Sequence, residues 1–373
     1  MTQDWEEQRE RLRGSLEAKG LQARGLERFA RNPECKRLVA LCLAGLRPAE
    51  VAREVYGEPD REGQSPFALG AGSRFEHLLF KDDAERLVEL YTKAGRFLGT
   101  RTSVLSIPEE VPGTSSASRQ RRLERTSKAL ADRWAGDLKA PDLIIHPRLE
   151  VELLGQRYEI EPDALVAAEG ERLYRVVEIK SYADRRGKTD PASLRGACRQ
   201  AAVGVVGLRQ ELIRMGAGEE AAEQVAAWGD LILRKPGSMW PALHPMTLCG
   251  EVESLERVLI WAADELSRIE AMVGPGESLA DRNVLDRIPN RYCESCREFC
   301  GLATVCKRQA LEVEAPILLG SRAEETLEPI TSLVQALALV RGEVAPRNGE
   351  EEALRVRLAR ALDEYRRVTG HVA

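Results

Sequence analysis

The sequence predicts an α/β fold: a mixed central sheet flanked by helices, with helical additions at both ends and a cysteine-bound metal segment. Three observations carry this. Short runs of alternating or continuous apolar residues fill 142–181, which is the pattern of strands. Apolar stripes at spacings of three and four lie on either side of that stretch, as helices require. Four of the eight cysteines fall between 293 and 306.

Taken in order, residues 3–56 read as helical. Leu12, Leu16, Leu21 and Leu26 recur at roughly helical spacing, and Leu38, Leu41 and Cys42 share one helix face. In Arg47-Pro48-Ala49-Glu50 the proline stands where a first helical turn accepts one. Residues 57–72 form a Gly/Pro-rich loop. A helix is expected from Ser73 to Gly95 on the stripe Phe75, Leu78, Leu79, Leu87, Leu90 and Tyr91, with Ser73-x-x-Glu76 fitting a capping box at its start. Residues 107–122 read as a mobile loop, with Arg119, Arg121, Arg122 and Arg125 as a solvated face at its end. A strand meander follows: 143–145, 149–153, 158–166 and, after the turn dipeptide Glu169-Gly170, 173–180. Helices at 194–215 and 219–227, a strand at 230–233 and a helix at 250–272 come next. The cysteine segment occupies 288–307, and an amphipathic helical tail spans 323–369. The expected division is a helical region over 1–60 carrying Cys35, a core over 61–250, a helix plus cysteine segment over 251–310 and a tail over 311–373.

The 373 residues leave room for two domains or one with large insertions, and 43% apolar residues supply a core. A net charge of −5 does not announce a nucleic-acid binder, although a local basic groove remains compatible with it, because phosphates respond to the nearby field. The acidic, polar beginning Met1-Thr2-Gln3-Asp4-Trp5 is unlike a signal peptide, and no apolar run is long enough to span a membrane. A cytoplasmic protein is expected, and in a reducing compartment clustered cysteines point to metal before disulfide.

The chemistry concentrates on Asp163 and the run Glu178-Ile179-Lys180. Side chains alternate along a strand, so Glu178 and Lys180 share a face and Val177 and Ile179 share the other. A turn near Gly170 would set Asp163 beside Glu178. Two carboxylates on one sheet face suit Mg²⁺ or Mn²⁺, which prefer hard oxygen ligands. Lys180 is suited to orient or deprotonate a water and to neutralise charge. Each residue alone fits an exposed strand, but the flanking Val177 and Ile179 mark a central strand, where unpaired charges are costly.

Pro162-Asp163 followed by Glu178-x-Lys180 resembles the signature of the PD-(D/E)xK nucleases, and Glu178-Ile-Lys-Ser-Tyr182 resembles their RecB-like branch. The resemblance covers about residues 70–210. It implies a restriction-endonuclease-like sheet and divalent-metal-dependent hydrolysis of DNA phosphodiesters, on single strands or ends, in bacterial recombination or defence. It implies a site glutamine, matched by Gln200, and an acid or histidine on an early helix, matched by Glu76 with His77 as the other option. It would make Glu76, Asp163 and Glu178 the metal ligands. Where relatives carry a tyrosine four residues after the glutamine, this chain has Gly204. A fold retained for DNA binding or scaffolding without turnover, and an RNA-directed nuclease, are the competing readings.

Cys293, Cys296, Cys300 and Cys306 lie close enough in sequence to wrap one metal centre, either a zinc knuckle or an iron–sulfur cluster. Members of the RecB-like branch with a 4Fe–4S cluster place one cysteine before the core and three after it. Cys35 matches the upstream place, so five cysteines compete for four positions. The resemblance favours Cys35, Cys300 and Cys306 with Cys296 or Cys293. Cys42, Cys198 and Cys249 read as buried small hydrophobes. His146 and His244 each precede proline and read as structural residues at turns, and His371 falls in the tail. The partners this implies are DNA and a helicase or defence-system protein, with no membrane.

Overall fold

The computed structural model describes residues 5–18, 23–59, 66–97, 102–168, 171–185, 189–293 and 295–369. In chain order the elements are α1 (Trp5–Arg13), α2 (Ala23–Arg31), α3 (Lys36–Leu43), α4 (Pro48–Tyr56), α5 (Pro66–Lys93), β1 (Val104–Ser106), α6 (Ile107–Glu110) and α7 (Ser116–Trp134). Strands β2 (Leu143–Ile145), β3 (Leu149–Leu153), β4 (Gln156–Ile160), β5 (Ala164–Val166) and β6 (Arg175–Ala183) lead into α8 (Pro191–Arg214) and α9 (Glu219–Glu223). Then come β7 (Trp228–Arg234), β8 (Pro241–Thr247), α10 (Cys249–Val273), α11 (Arg282–Arg287), α12 (Cys296–Phe299), α13 (Ala303–Glu312), α14 (Ser321–Leu327), α15 (Leu333–Arg341) and α16 (Gly349–Thr369).

The chain divides into two compact units. The first comprises Met1–Pro33, Leu38–Arg47 and Gly63–Arg287; the second comprises Glu34–Arg37, Pro48–Glu62 and Ile288–Ala373. The units therefore cut across the expected segments: 251–310 divides after Arg287, and Cys35 goes with the cysteine segment rather than with its helical neighbours.

The first unit is built on a mixed six-stranded sheet in the order β1-β2-β5-β6-β7-β8, bearing out the α/β class. β6 is central, antiparallel to β5 and parallel to β7, with α8 as the crossover between the parallel pair. Its two faces are covered by different helices. Val177 and Ile179 join Phe75, Leu79, Leu87 and Tyr91 of α5 in one buried cluster. On the other face α8 comes very close: a Cβ added at Gly204 would lie 3.0 Å from Val176 Cγ1 and 3.3 Å from Pro162 Cγ. Asp190 caps α8 by accepting the Ser193 N–H, and Pro191 occupies its first turn.

Several expectations change. The helix expected from Ser73 begins at Pro66, so Ser73 lies inside α5 and the capping box is not formed. α5 breaks at Lys81–Ala84, where Asp82, Asp83 and Ala84 hold φ of 54°, 53° and 56°, left-handed values that Asp tolerates better than Ala. The supposed loop 107–122 is mostly α6 and α7, because Ser115 caps α7 by accepting the Ser118 N–H at 3.1 Å. The single strand expected over 158–166 is two. β4 pairs with β3 in a separate hairpin, and β5 enters the main sheet. β1 and β8 went unforeseen. His244 stands in β8 rather than at a turn, and Pro245 is tolerated there because β8 is an edge strand. The turn at 169–170, Leu21 and His371 lie outside the described residues.

In the second unit the tail is helical as expected, divided into three helices, α14 to α16. Leu327, Ile330, Ala336, Leu339 and Leu354 form a small core of their own there, flanked by Leu333 and Leu358.

Candidate functional site

The first unit gathers four of the five expected site residues. Asp163 immediately precedes β5, and Ala164 pairs with Val177. The antiparallel register thus extends Asp163 opposite Glu178, as the strand reading required. Asp163 Oδ2 accepts the Ile179 N–H at 2.6 Å. Glu178 is 6% exposed and is ion-paired and hydrogen-bonded to Lys180 Nζ through Oε1. Glu76 projects from the first arm of α5, where its Oε1 lies 3.1 Å from His146 Nε2. Gln200 lies one turn before Gly204 on the α8 face that packs against β6, half-buried, and no hydrogen bond joins it to the carboxylates among the described residues. His77 is exposed.

The electrostatics follow from removing two carboxylates from water on one sheet face. Burial, and then the charge of Glu178, raise the Asp163 carboxyl to about 8, against the opposing pull of Lys180. Burial likewise pushes Glu178 up, while Lys180 pulls it down. Burial pulls the Lys180 pKa down, but the charges of Glu178 and Asp163 outweigh it and raise it overall, which favours the ammonium. Glu76 adds its negative charge to both acids.

Other residues join the site that the sequence did not reveal. His146, just past β2, has φ 48° and donates its backbone N–H to the Asp163 carbonyl at 3.0 Å. Its Nδ1 is 3.6 Å from Glu161 Oε1, and Arg148 Nη2 is 2.6 Å from Glu161 Oε2. Burial opposes the charged imidazole, but the hydrogen bond to Glu76 and the charges of Glu76, Glu161 and Asp163 raise its pKa overall. The expectation of a merely structural turn histidine therefore captures its backbone but not its side chain. On the far side, the buried Glu27 of α2 adds charge near Glu178 and holds Arg31, with Arg31 Nε at 2.9 Å. Arg31 reaches over Gly196 of α8, whose added Cβ would lie 2.9 Å from Arg31 Nη2. Arg195 and Arg199 flank that contact, and burial with Arg31 nearby lowers the Arg199 pKa. Neither Arg195 nor Arg199 has an ion-pair partner among the described residues.

The second unit holds Cys35 and the four clustered cysteines. Cys35, Cys296 and Cys306 are buried, and Cys293 and Cys300 are half-buried. Cys293 Sγ and Cys296 Sγ lie 3.3 Å apart. The hydrogen bond from Cys296 holds the Cys293 thiol down at about 6 and correspondingly pushes Cys296 up. Buried Arg37, two residues after Cys35, donates to Cys306 Sγ at 3.6 Å, to Gln309 Oε1 at 2.7 Å and to the Ile288 carbonyl at 3.3 Å. Gly301 admits the backbone of α4: a Cβ there would sit 2.3 Å from Ala49 Cα. Of the other cysteines, Cys42 is buried as expected; Cys198 is half-buried and Cys249 is exposed at the start of α10, so the reading of both as buried is corrected.

Each of the three acids is engaged by a neighbour: Glu76 by His146, Asp163 by the Ile179 N–H, Glu178 by Lys180. Among the described residues no three His, Cys, Asp or Glu side chains converge at metal-binding geometry. The donor chemistry nonetheless fits: hard oxygens in a desolvated pair in one unit, thiols with one held toward the thiolate in the other. No described helix is long and apolar enough to cross a membrane.

No protein-family model matches the chain, and no curated protein matches it. Among solved structures it is similar to one described as "Crystal structure of SSO0001", at 12% identity and a TM-score of 0.18, over 49% of this chain and 87% of that one. A likeness at that TM-score carries no argument about fold or activity.

Proposed function

We propose that this chain is a divalent-metal-dependent nuclease of the PD-(D/E)xK type that hydrolyses DNA phosphodiesters. The observation that carries the reading is the in-register placement of Asp163 opposite Glu178 on neighbouring strands, with Lys180 on the same face. Two desolvated carboxylates, with the charge of Glu178 raising Asp163, suit a divalent cation, and a phosphodiester is a substrate whose charge such a cation offsets. Glu76, Asp163 and Glu178 would hold Mg²⁺ or Mn²⁺, which when bound lowers the pKa of water and offsets charge on phosphorus. Lys180, held as an ammonium, serves to neutralise charge on the phosphate rather than to take a proton from water. Gln200, half-buried on the helix that packs against the same strand, is the proposed site glutamine. Arg195 and Arg199 supply local positive charge for a phosphate backbone in a chain of net charge −5.

The cysteine segment is assigned a 4Fe–4S cluster held by four of Cys35, Cys293, Cys296, Cys300 and Cys306, with structural Zn²⁺ as the alternative. Support comes from Cys35 sharing one compact unit with the other four, with Arg37 hydrogen-bonded to Cys306. DNA, and a helicase or defence-system protein, are the proposed partners.

The test is cleavage of labelled single- and double-stranded DNA, with RNA in parallel, in Mg²⁺, Mn²⁺ and EDTA. Asp163→Ala, Glu178→Ala and Lys180→Ala are each expected to lose cleavage while remaining folded. Wild-type rates in all three would show the site to be misassigned. DNA binding without any turnover would decide for the scaffold reading.

A further inference from the structure

His146 holds a left-handed backbone, φ 48°, which a side-chain-bearing residue adopts only where its surroundings fix it. Both its ring nitrogens face carboxylates, Nε2 toward Glu76 at 3.1 Å and Nδ1 toward Glu161 at 3.6 Å. Arg148 anchors Glu161 from behind at 2.6 Å, and Phe80 packs edge-on against the ring with centroids 5.1 Å apart. The His146 N–H in turn holds the Asp163 carbonyl. One residue therefore joins the acid of α5 to the segment that carries Asp163, two parts of the chain that no strand pairing links.

We infer that His146 is a positioning residue of the proposed site, whose imidazole orients the Glu76 carboxylate toward Asp163 and Glu178 while Glu161 and Arg148 hold the ring. The inference rests on the metal site of the proposed nuclease reading, not on its turnover. It assigns the Glu76–His146–Glu161–Arg148 chain the task that outer hydrogen bonds perform at metal sites generally: fixing the direction of a ligand's lone pairs before the cation arrives. Removing such a partner weakens cation binding more than it disturbs the fold.

The experiment is a Mn²⁺ titration of the full chain, read by loss of the free-ion electron paramagnetic resonance signal, with DNA cleavage measured alongside. His146→Asn suits the left-handed backbone but is too short to reach Glu76; His146→Gln keeps a donor near the Nε2 position. Binding by His146→Asn is expected to weaken on the order of tenfold or more, with His146→Gln recovering most of it. In a Glu76→Gln background, His146→Asn should have little further effect, since its target is gone. A purely structural His146 predicts the opposite: lowered melting temperatures, unchanged Mn²⁺ affinity and full additivity with Glu76→Gln, and that result overturns the inference. Wild-type chain that binds no Mn²⁺ overturns both inference and nuclease reading. Mn²⁺ binding without cleavage ends the nuclease reading alone, and His146 is then judged on the binding titration.

Discussion

Asp163 and Glu178 face each other across two strands, with the Lys180 ammonium paired to Glu178, and the folded state holds their protons more tightly than the unfolded chain does. The consequence for stability has a definite sign. A carboxyl with a raised folded-state pKa favours the unfolded state increasingly as pH climbs from its ordinary range near 4 to about 8. In EDTA, Asp163→Asn should therefore melt above wild type at pH 8, with the difference shrinking toward pH 4. The Ile179 N–H still finds an oxygen in the asparagine, so a lost hydrogen bond does not obscure the effect. Thermal melts over that range check it; a variant less stable than wild type throughout would show that the pair stabilises the fold. Glu76 bears on the same scale. With Ser73 inside α5 and no capping box to serve, its interaction with His146 is the role the structure gives it.

At the scale of elements, α8 governs the site's geometry. Gly204 lets the helix lie against Val176 and Pro162, which flank Glu178 and Asp163, and Gly207 admits Ile160 of the hairpin, whose Cδ1 would lie 2.6 Å from a Cβ added there. The position where PD-(D/E)xK nucleases of the RecB-like branch carry a tyrosine is in this chain occupied by close helix–strand packing. Gly204→Ala should destabilise by about 1–3 kcal/mol through overpacking, and a tyrosine there should do worse, as denaturant titration would measure. The outer rim of α8 makes a separate claim. If Arg195 and Arg199 contact phosphates, the double variant to glutamine should bind single-stranded DNA more weakly and with a flatter dependence on salt, by about one to two counterions. Fluorescence anisotropy across a salt series measures the slope, and an unchanged slope would remove these residues from the binding surface.

At the scale of the whole molecule, the acids of the proposed nuclease site lie in the first unit, and Cys35 and the clustered cysteines lie in the second. Within the second, the segment Glu34–Arg37 joins the cysteine region through Arg37, whose own N–H also reaches the Pro289 carbonyl at 3.0 Å. A metal bound there would stabilise that arrangement, because ligands distant in sequence become linked only when it folds. Protein purified without oxygen should be brown and contain iron and acid-labile sulfide; colourless protein with one equivalent of zinc would decide for the knuckle. Cys300→Ala and Cys306→Ala should lose the metal, whereas Cys42→Ala and Cys249→Ala should retain it.

The local rules of the chain were sufficient for much of this. Alternation along β6 put Glu178 and Lys180 on one face and Val177 and Ile179 on the other, and apolar spacing found α8 and α10. Those signals are local, since period and capping are set by residues a few positions apart. The pairing of Asp163 with Glu178 followed from a short connection between neighbouring strands. What tertiary structure alone decided is of another kind. β1 and β8 are short or edge strands with weak alternation, stabilised by partners far along the chain. The start of α5 at Pro66 overrode a plausible capping box, because a cap motif competes with whatever the preceding residues can do. His146 was unreadable as a site residue because its two carboxylates come from α5 and from the segment before β5, and Arg37 because Cys306 lies hundreds of residues away. Such contacts depend on strand order and helix docking, which no local pattern encodes; once β2, β5 and β6 lie side by side, the end of β2 necessarily delivers its histidine beside Asp163.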